Sequence, residues 1–243
     1  MVPGLILTTV FLTSILSGIL GMAGGMILMA ALVWVYSVAA AMILHGAVQA
    51  TANGSRAWFL RKHIRWRILP HYATGALLAV AVFALLAFVP HPGIVLIVIG
   101  TLPWLARFSQ RLNGLNILNR STAVLCGVLI TTTQLLAGAS GPLLDMFYVN
   151  TPLTRHEIVA SKALTQTIGH LIKVTYYGLI IGVASEVGGG YIALAMAIAI
   201  LGTRLGTWLL DRWSDKAFQR VSRLIILVIA SVCIGQGIVL LAG

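Results

Sequence analysis

Residues 21–25, Gly-Met-Ala-Gly-Gly, and residues 138–142, Gly-Ala-Ser-Gly-Pro, each interrupt a long apolar stretch. Glycine loosens a helix, and proline removes one of its N–H donors. Each break is followed by an apolar segment, 25–37 or 140–149, that is too short to cross a bilayer, since a spanning helix needs about 20 residues. Interrupted backbone at membrane depth is tolerated only against protein or a water-filled cavity. Eight longer apolar segments lie around the breaks, at 3–20, 40–60, 68–88, 92–107, 121–137, 157–183, 188–211 and 220–241. The fold class expected is an all-α polytopic membrane protein with eight long helices and two short broken or re-entrant ones.

Composition agrees. Of the 243 residues, 59 % are hydrophobic and 9 % charged, and the mean hydropathy is +1.01. A soluble domain carries roughly 25 % charged residues. Too few charges remain to cover a water-facing surface, which excludes a soluble enzyme, a disordered chain and a disulfide scaffold. Cys126 and Cys233 lie inside apolar runs and read as small buried hydrophobes. The net charge of +11 falls in short gaps between apolar runs. That pattern marks the cytoplasmic loops of a membrane protein rather than a nucleic-acid surface. No Lys or Arg precedes Arg56, so no cleavable signal peptide is expected.

The segments read as five given twice. Gly21 and Gly138, Gly24 and Gly141, Met29 and Met146, and Gln49 and Gln166 are each 117 residues apart. At the same offset His45 meets Lys162, Asn53 meets His170 and Arg56 meets Lys173. The expected units are a first membrane repeat over 1–118 and a second over 119–243. If the halves are inverted and the N-terminus is outside, 13 of the 16 basic residues fall inside and none in an outer loop. Parallel halves would split the loop cations 8 against 5. The loop-charge rule therefore favours inversion, with both termini outside. Trp58, Trp66, Trp104, Trp208 and Trp213 lie near the inner basic clusters, as an interfacial belt should. Each glycine break fits either a re-entrant tip or a junction between a full helix and a short one.

Inverted repeats with broken helices are the mark of secondary transporters, with substrate near the midplane. Candidate binding residues fall in two places. Gly24 and Gly25 open one short helix, and Gly138, Ser140 and Gly141 precede or open the other. Unpaired N–H groups at helix starts attract anions; alternatively, these glycines simply permit close helix packing. The second place is a polar stripe. His45, Gln49, Asn53 and Arg56 share one helical face, and Lys162, Gln166, His170 and Lys173 repeat the spacing. These residues line a pathway or bridge helices. Arg56 also suits the cytoplasmic cluster and Lys173 a partner elsewhere, so neither is counted among the candidate site residues.

Lys162 stands out because a buried ammonium needs a partner or water. Asp145, the lone acid of its short segment, is that expected partner, either as plain neutralisation or as a proton- or substrate-linked switch. Arg204 is expected to reach the interface or pair with Asp211. Thr154 and Glu157 fit a helix capping box. No metal or other cofactor is expected, because the histidines lack metal-ligand spacing.

The segments Gly18-Ile-Leu-Gly-Met-Ala-Gly-Gly-Met26, His45-Gly-Ala-Val-Gln-Ala-Thr-Ala-Asn-Gly-Ser-Arg56 and Ser161-Lys-Ala-Leu-Thr-Gln-Thr-Ile-Gly-His170 resemble the sulfite and organosulfonate exporter family, the TauE/SafE-type permeases. The resemblance covers nearly the whole chain. It implies a cytoplasmic (inner) membrane permease, not an enzyme, moving a small anion such as sulfite, sulfonate or sulfoacetate by alternating access. The partners expected are that anion and the lipid bilayer, with a second copy of the chain as a candidate. Two other readings are a transition-metal or cation permease using His45 and His170, and a membrane-embedded enzyme pairing Ser140 with His170.

Overall fold

The computed structural model describes residues 2–20, 23–109, 115–182, 187–210 and 216–242. Gly21, Arg111, Glu186, Asp211, Arg212 and Trp213 lie outside these residues, as does any pairing of Arg204 with Asp211. The described side chains do not include those of Lys216, Arg220 and Arg223.

Ten α-helices follow one another among the described residues: α1 Val2–Leu20, α2 Ala23–Val33, α3 Val38–Phe59, α4 Ile68–Leu86, α5 Pro92–Ser109, α6 Arg120–Ala137, α7 Gly141–Met146, α8 Arg155–Thr175, α9 Gly189–Leu210 and α10 Lys216–Ala242. A 3₁₀ turn, Arg61–His63, precedes α4, and a π-helical turn, Tyr176–Ile180, continues α8. α2 has 11 residues and α7 has 6, whereas the others have 18 to 27. α4, α6 and α9 meet both the length and the apolarity of a membrane span.

The polarity is arranged for lipid. Leu77, Leu85, Leu194, Leu201 and Val239 are exposed, while His45, Gln134 and Lys173 are wholly buried. A soluble fold would place these two groups the other way round. Apolar side chains facing hydrocarbon cost nothing, and polar ones must face protein or water.

The helices pack in long pairs, α1 with α9, α4 with α6, α5 with α10, and α3 with α8. Small residues bring the backbones together at these crossings. A Cβ on Gly18 would sit 2.8 Å from the Cα of Gly206, and one on Gly127 would land on the carbonyl of Tyr72. In the central pair α3 runs antiparallel to α8: residues 45 and 46 lie against 170–174, and residue 54 against 167.

Local chemistry fixes the ends of the polar helices. Ser37 caps α3 by accepting from the Ala40 N–H at 3.3 Å. Thr154 and Glu157 complete the capping box of α8, each side chain accepting from the other's backbone N–H. Glu157 also pairs with Arg65, and the Arg65 N–H donates to the Ser161 hydroxyl at 3.0 Å, so the α3–α4 connection is tied to α8. At the far end the Tyr177 hydroxyl donates to the Leu135 carbonyl at 2.6 Å, and the Tyr176 hydroxyl donates to the carbonyls of Phe83 and Phe88. The π turn sets these two hydroxyls toward α6 and α4, and it ends the single helix expected over 157–183.

Candidate functional site

α6 ends on Gly138, whose φ of 74° is left-handed backbone that glycine adopts without a side-chain clash. Its N–H closes the helix on the Gln134 carbonyl, while its own carbonyl turns toward α8. There it accepts from the ammonium of Lys173 at 2.9 Å. The same ammonium lies 2.7 Å from Nδ1 of His45 on α3. The other ring nitrogen of His45, Nε2, is 2.8 Å from the carbonyl of Gly25 in α2. A carbonyl only accepts, so Nε2 carries the proton and Nδ1 accepts from Lys173. One continuous chain of contacts therefore links Gly25, His45, Lys173 and Gly138, joining α2, α3, α8 and the end of α6.

This centre is shut from solvent: Lys173 and His45 are 0 % exposed and His170 3 %. The rings of His45 and His170 meet edge to face with centroids 5.5 Å apart. Gln49, one turn along from His45, lies against Gly25, where a Cβ would come within 3.3 Å of its amide. Gln134 lies against Gly169 in the same way. Several buried polar atoms here have no hydrogen-bond partner, namely Gln49 Nε2, Ser140 Oγ, His170 Nδ1 and both amide atoms of Gln134. Buried groups of this kind are normally paired.

The two acids with described side chains are engaged elsewhere. Asp145 of α7 forms an ion pair with Lys162 of α8, and Glu157 pairs with Arg65. Among the described residues no carboxylate pairs with Lys173. Burying an ammonium without a counter-charge is costly.

The structure places the sequence-derived residues as follows. His45, Gln49 and Asn53 lie on the buried face of α3, where the Asn53 amide donates to the Gln49 carbonyl at 3.0 Å. Gln166 and His170 lie on the buried face of α8. Lys162 pairs with Asp145, as expected, at the opposite end of the α3–α8 contact from Lys173. Arg56 lies within electrostatic reach of Lys162 and donates to the Ser17 carbonyl at 3.1 Å. The expectation that Gly25 opens the short helix is corrected: α2 begins at Ala23, and Gly25 meets the site through its carbonyl. Gly24 serves packing, since a Cβ there would collide with the Thr13 carbonyl of α1. Gly141 starts α7, and Ser140 holds its N-cap position without a side-chain cap bond. Ser140 makes no hydrogen bond to His170, so the nucleophile and base that an enzyme would need are not joined.

Lys173 is the residue that sequence reasoning left out. Its signal was its place as the last member of the second polar stripe, which looks the same as a cation reaching for the interface.

A family profile described as Sulfite exporter TauE/SafE matches residues 6–232 of the chain. No curated protein and no solved structure matches it. The match runs from within α1 to within α10 and includes both glycine breaks and the buried cation between them, and it shows that the chain belongs to the TauE/SafE sulfite exporter family of membrane transporters.

Proposed function

We propose that this chain carries a small oxyanion, such as sulfite, a sulfonate, sulfoacetate or a similar organic acid, across the cytoplasmic membrane by alternating access. The observation that carries the reading is Lys173, fully buried at the junction of both glycine breaks with no carboxylate beside it among the described residues. An arriving anion supplies the missing counter-charge. It takes hydrogens that Lys173 now gives to His45 and Gly138, and further ones from Gln49 and Ser140. Lys173 beside two histidines disfavours a metal ion or other cation as cargo.

Eight spans, two inverted halves (1–118 and 119–243) and termini outside complete the proposal. Two observations support the duplication, and the direction of α3 and α8 supports its inversion. Each first-half helix of the four long pairs packs against a second-half helix, and the exchange α1 to α6, α3 to α8, α4 to α9 and α5 to α10 maps the set of pairs onto itself. α3 and α8, which carry the matched stripes, are antiparallel, as equivalent helices of inverted repeats must be. The equivalent cations Arg56 and Lys173 each reach a carbonyl at or near the C-terminal end of the helix before the break in their own half. Cations are favoured at such ends.

The direct test is counterflow of labelled sulfite in proteoliposomes of the full chain. Saturable uptake is expected. Folded protein that carries neither sulfite nor a simple alkanesulfonate overturns the reading. Cysteines replacing exposed Lys62 and exposed His91 are expected to react from opposite faces of the membrane, and labelling from one face refutes the topology.

A further inference from the structure

Hydrogen-bond donors outnumber charged acceptors at the centre. Lys173 is its one ammonium, and Gln49 Nε2 and Ser140 Oγ are further donors without partners. The carbonyls of Gly25 and Gly138 are already taken by His45 and Lys173. The acceptor-capable atoms that remain open, the oxygens of Gln134 and Ser140 and Nδ1 of His170, carry no negative charge. The two described carboxylates, of Asp145 and Glu157, are held by Lys162 and Arg65. The wall beside Gly138 is apolar: the fully buried Met29 and Met42 close it, with sulfur atoms 2.6 and 3.1 Å from where a Gly138 Cβ would stand. Methionine adapts to irregular apolar shapes.

We infer that the site selects an oxyanion whose tail is short, apolar and uncharged, and rejects the same anion carrying an ammonium on that tail. The inference rests on the anion-transport reading and narrows it. The sulfonate or sulfite head accepts from Lys173, Gln49 and Ser140. An alkyl tail lies against Met29 and Met42 at no polar cost. An ammonium in the same place would face methionine sulfur and a second cation, with no carboxylate among the described residues to receive it. A second anionic group on the tail, as in sulfoacetate, would share the single ammonium with the head and lie against the same apolar wall.

Two probes isolate the feature. Propane-1-sulfonate and 2-aminoethanesulfonate have the same number of heavy atoms and differ by a methyl group in place of an ammonium. Each is added as competitor to labelled sulfite counterflow in proteoliposomes of the full chain. Half-inhibition is expected to require roughly 100-fold more of the amino compound, or beyond, the penalty of an unpaired buried charge. Sulfite carried with equal inhibition by both, or with inhibition by neither, overturns this inference and leaves anion transport standing. No sulfite flux, together with no thermal stabilisation by either sulfonate, overturns the anion reading and this inference with it.

Discussion

Replacing Lys173 with methionine separates a cation that serves transport from one that serves the fold. Methionine is close to lysine in length and volume, so little cavity is left. The change removes hydrogen bonds of 2.9 and 2.7 Å, to the Gly138 carbonyl and to His45 Nδ1. Bonds from a charged donor are worth about 1.5–3 kcal/mol each, and the two acceptors are left without their partner. Against this, the substitution relieves the desolvation of a buried ammonium, which is several kcal/mol per ion even after relaxation. No described carboxylate is stranded by the loss, so the usual cost of breaking a buried pair, about 3–5 kcal/mol, does not arise. The opposed terms nearly cancel. The net change in stability is expected to stay within about 2 kcal/mol, or roughly 4–8 °C in the unfolding midpoint of a chain this long. Transport has no such compensation, because a bound anion would lose its one central counter-charge. A loss of about 3 kcal/mol corresponds to roughly 100-fold in flux. The assay pairs thermal unfolding in detergent with sulfite counterflow per folded protein. Near-wild-type flux, or a collapse in stability that accounts for the lost flux, refutes the reasoning.

Asp145→Asn and Lys162→Gln are expected to interact weakly. Their side chains keep 38 % and 16 % of their exposure, so the pair is only partly covered by protein, and a double-mutant cycle on thermal unfolding should give a coupling below about 1 kcal/mol. A coupling above about 2 kcal/mol would show that the pair is sealed in the fold. Gly127→Leu places side-chain atoms against the Tyr72 carbonyl at the α4–α6 crossing and should leave little folded protein, whereas Gly190→Leu enters open space and should be tolerated. Equal yields by size-exclusion chromatography would contradict the crossing. Thr154→Ala removes the cap of α8 and should lower stability by about 1 kcal/mol, and restoration by Ser but not by Val in thermal unfolding would identify the hydroxyl as the cause.

Most helix positions were legible because their limits are local. Glycine and proline break helices, and the charged gaps cannot enter hydrocarbon, so each of the ten apolar segments coincides with one helix within a few residues. The departures have reasons that hydropathy does not carry. α7 stops at Met146 although apolar residues continue to 149, because the chain tightens there, the Phe147 N–H turning back to the Leu144 carbonyl. The π turn at Tyr176 is dictated by two hydroxyls seeking carbonyls on α4 and α6, partners that are far away in sequence. Asp145 was readable as the partner of Lys162 because it is the one acid in a short apolar segment between basic neighbours.

The centre itself was harder to read, and the inverted repeat proposed above accounts for why. Two equivalent helices that cross antiparallel about a two-fold axis bring the first position of one stripe to the last position of the other. His45 therefore meets Lys173, and Arg56 comes within electrostatic reach of Lys162, instead of each residue meeting its own counterpart 117 positions away. A stripe read along one helix gives its members but not these crossed pairs; the offset and the antiparallel direction are both needed. The crossing also creates two unequal ends from one plan. At one end Asp145 pairs with Lys162, which lies within electrostatic reach of Arg56. At the other the position equivalent to Asp145 is Leu28, wholly buried and unable to answer Lys173. On the duplication proposed above, both ends inherit a cation and one a carboxylate, and the proposed anion would act at the end without it.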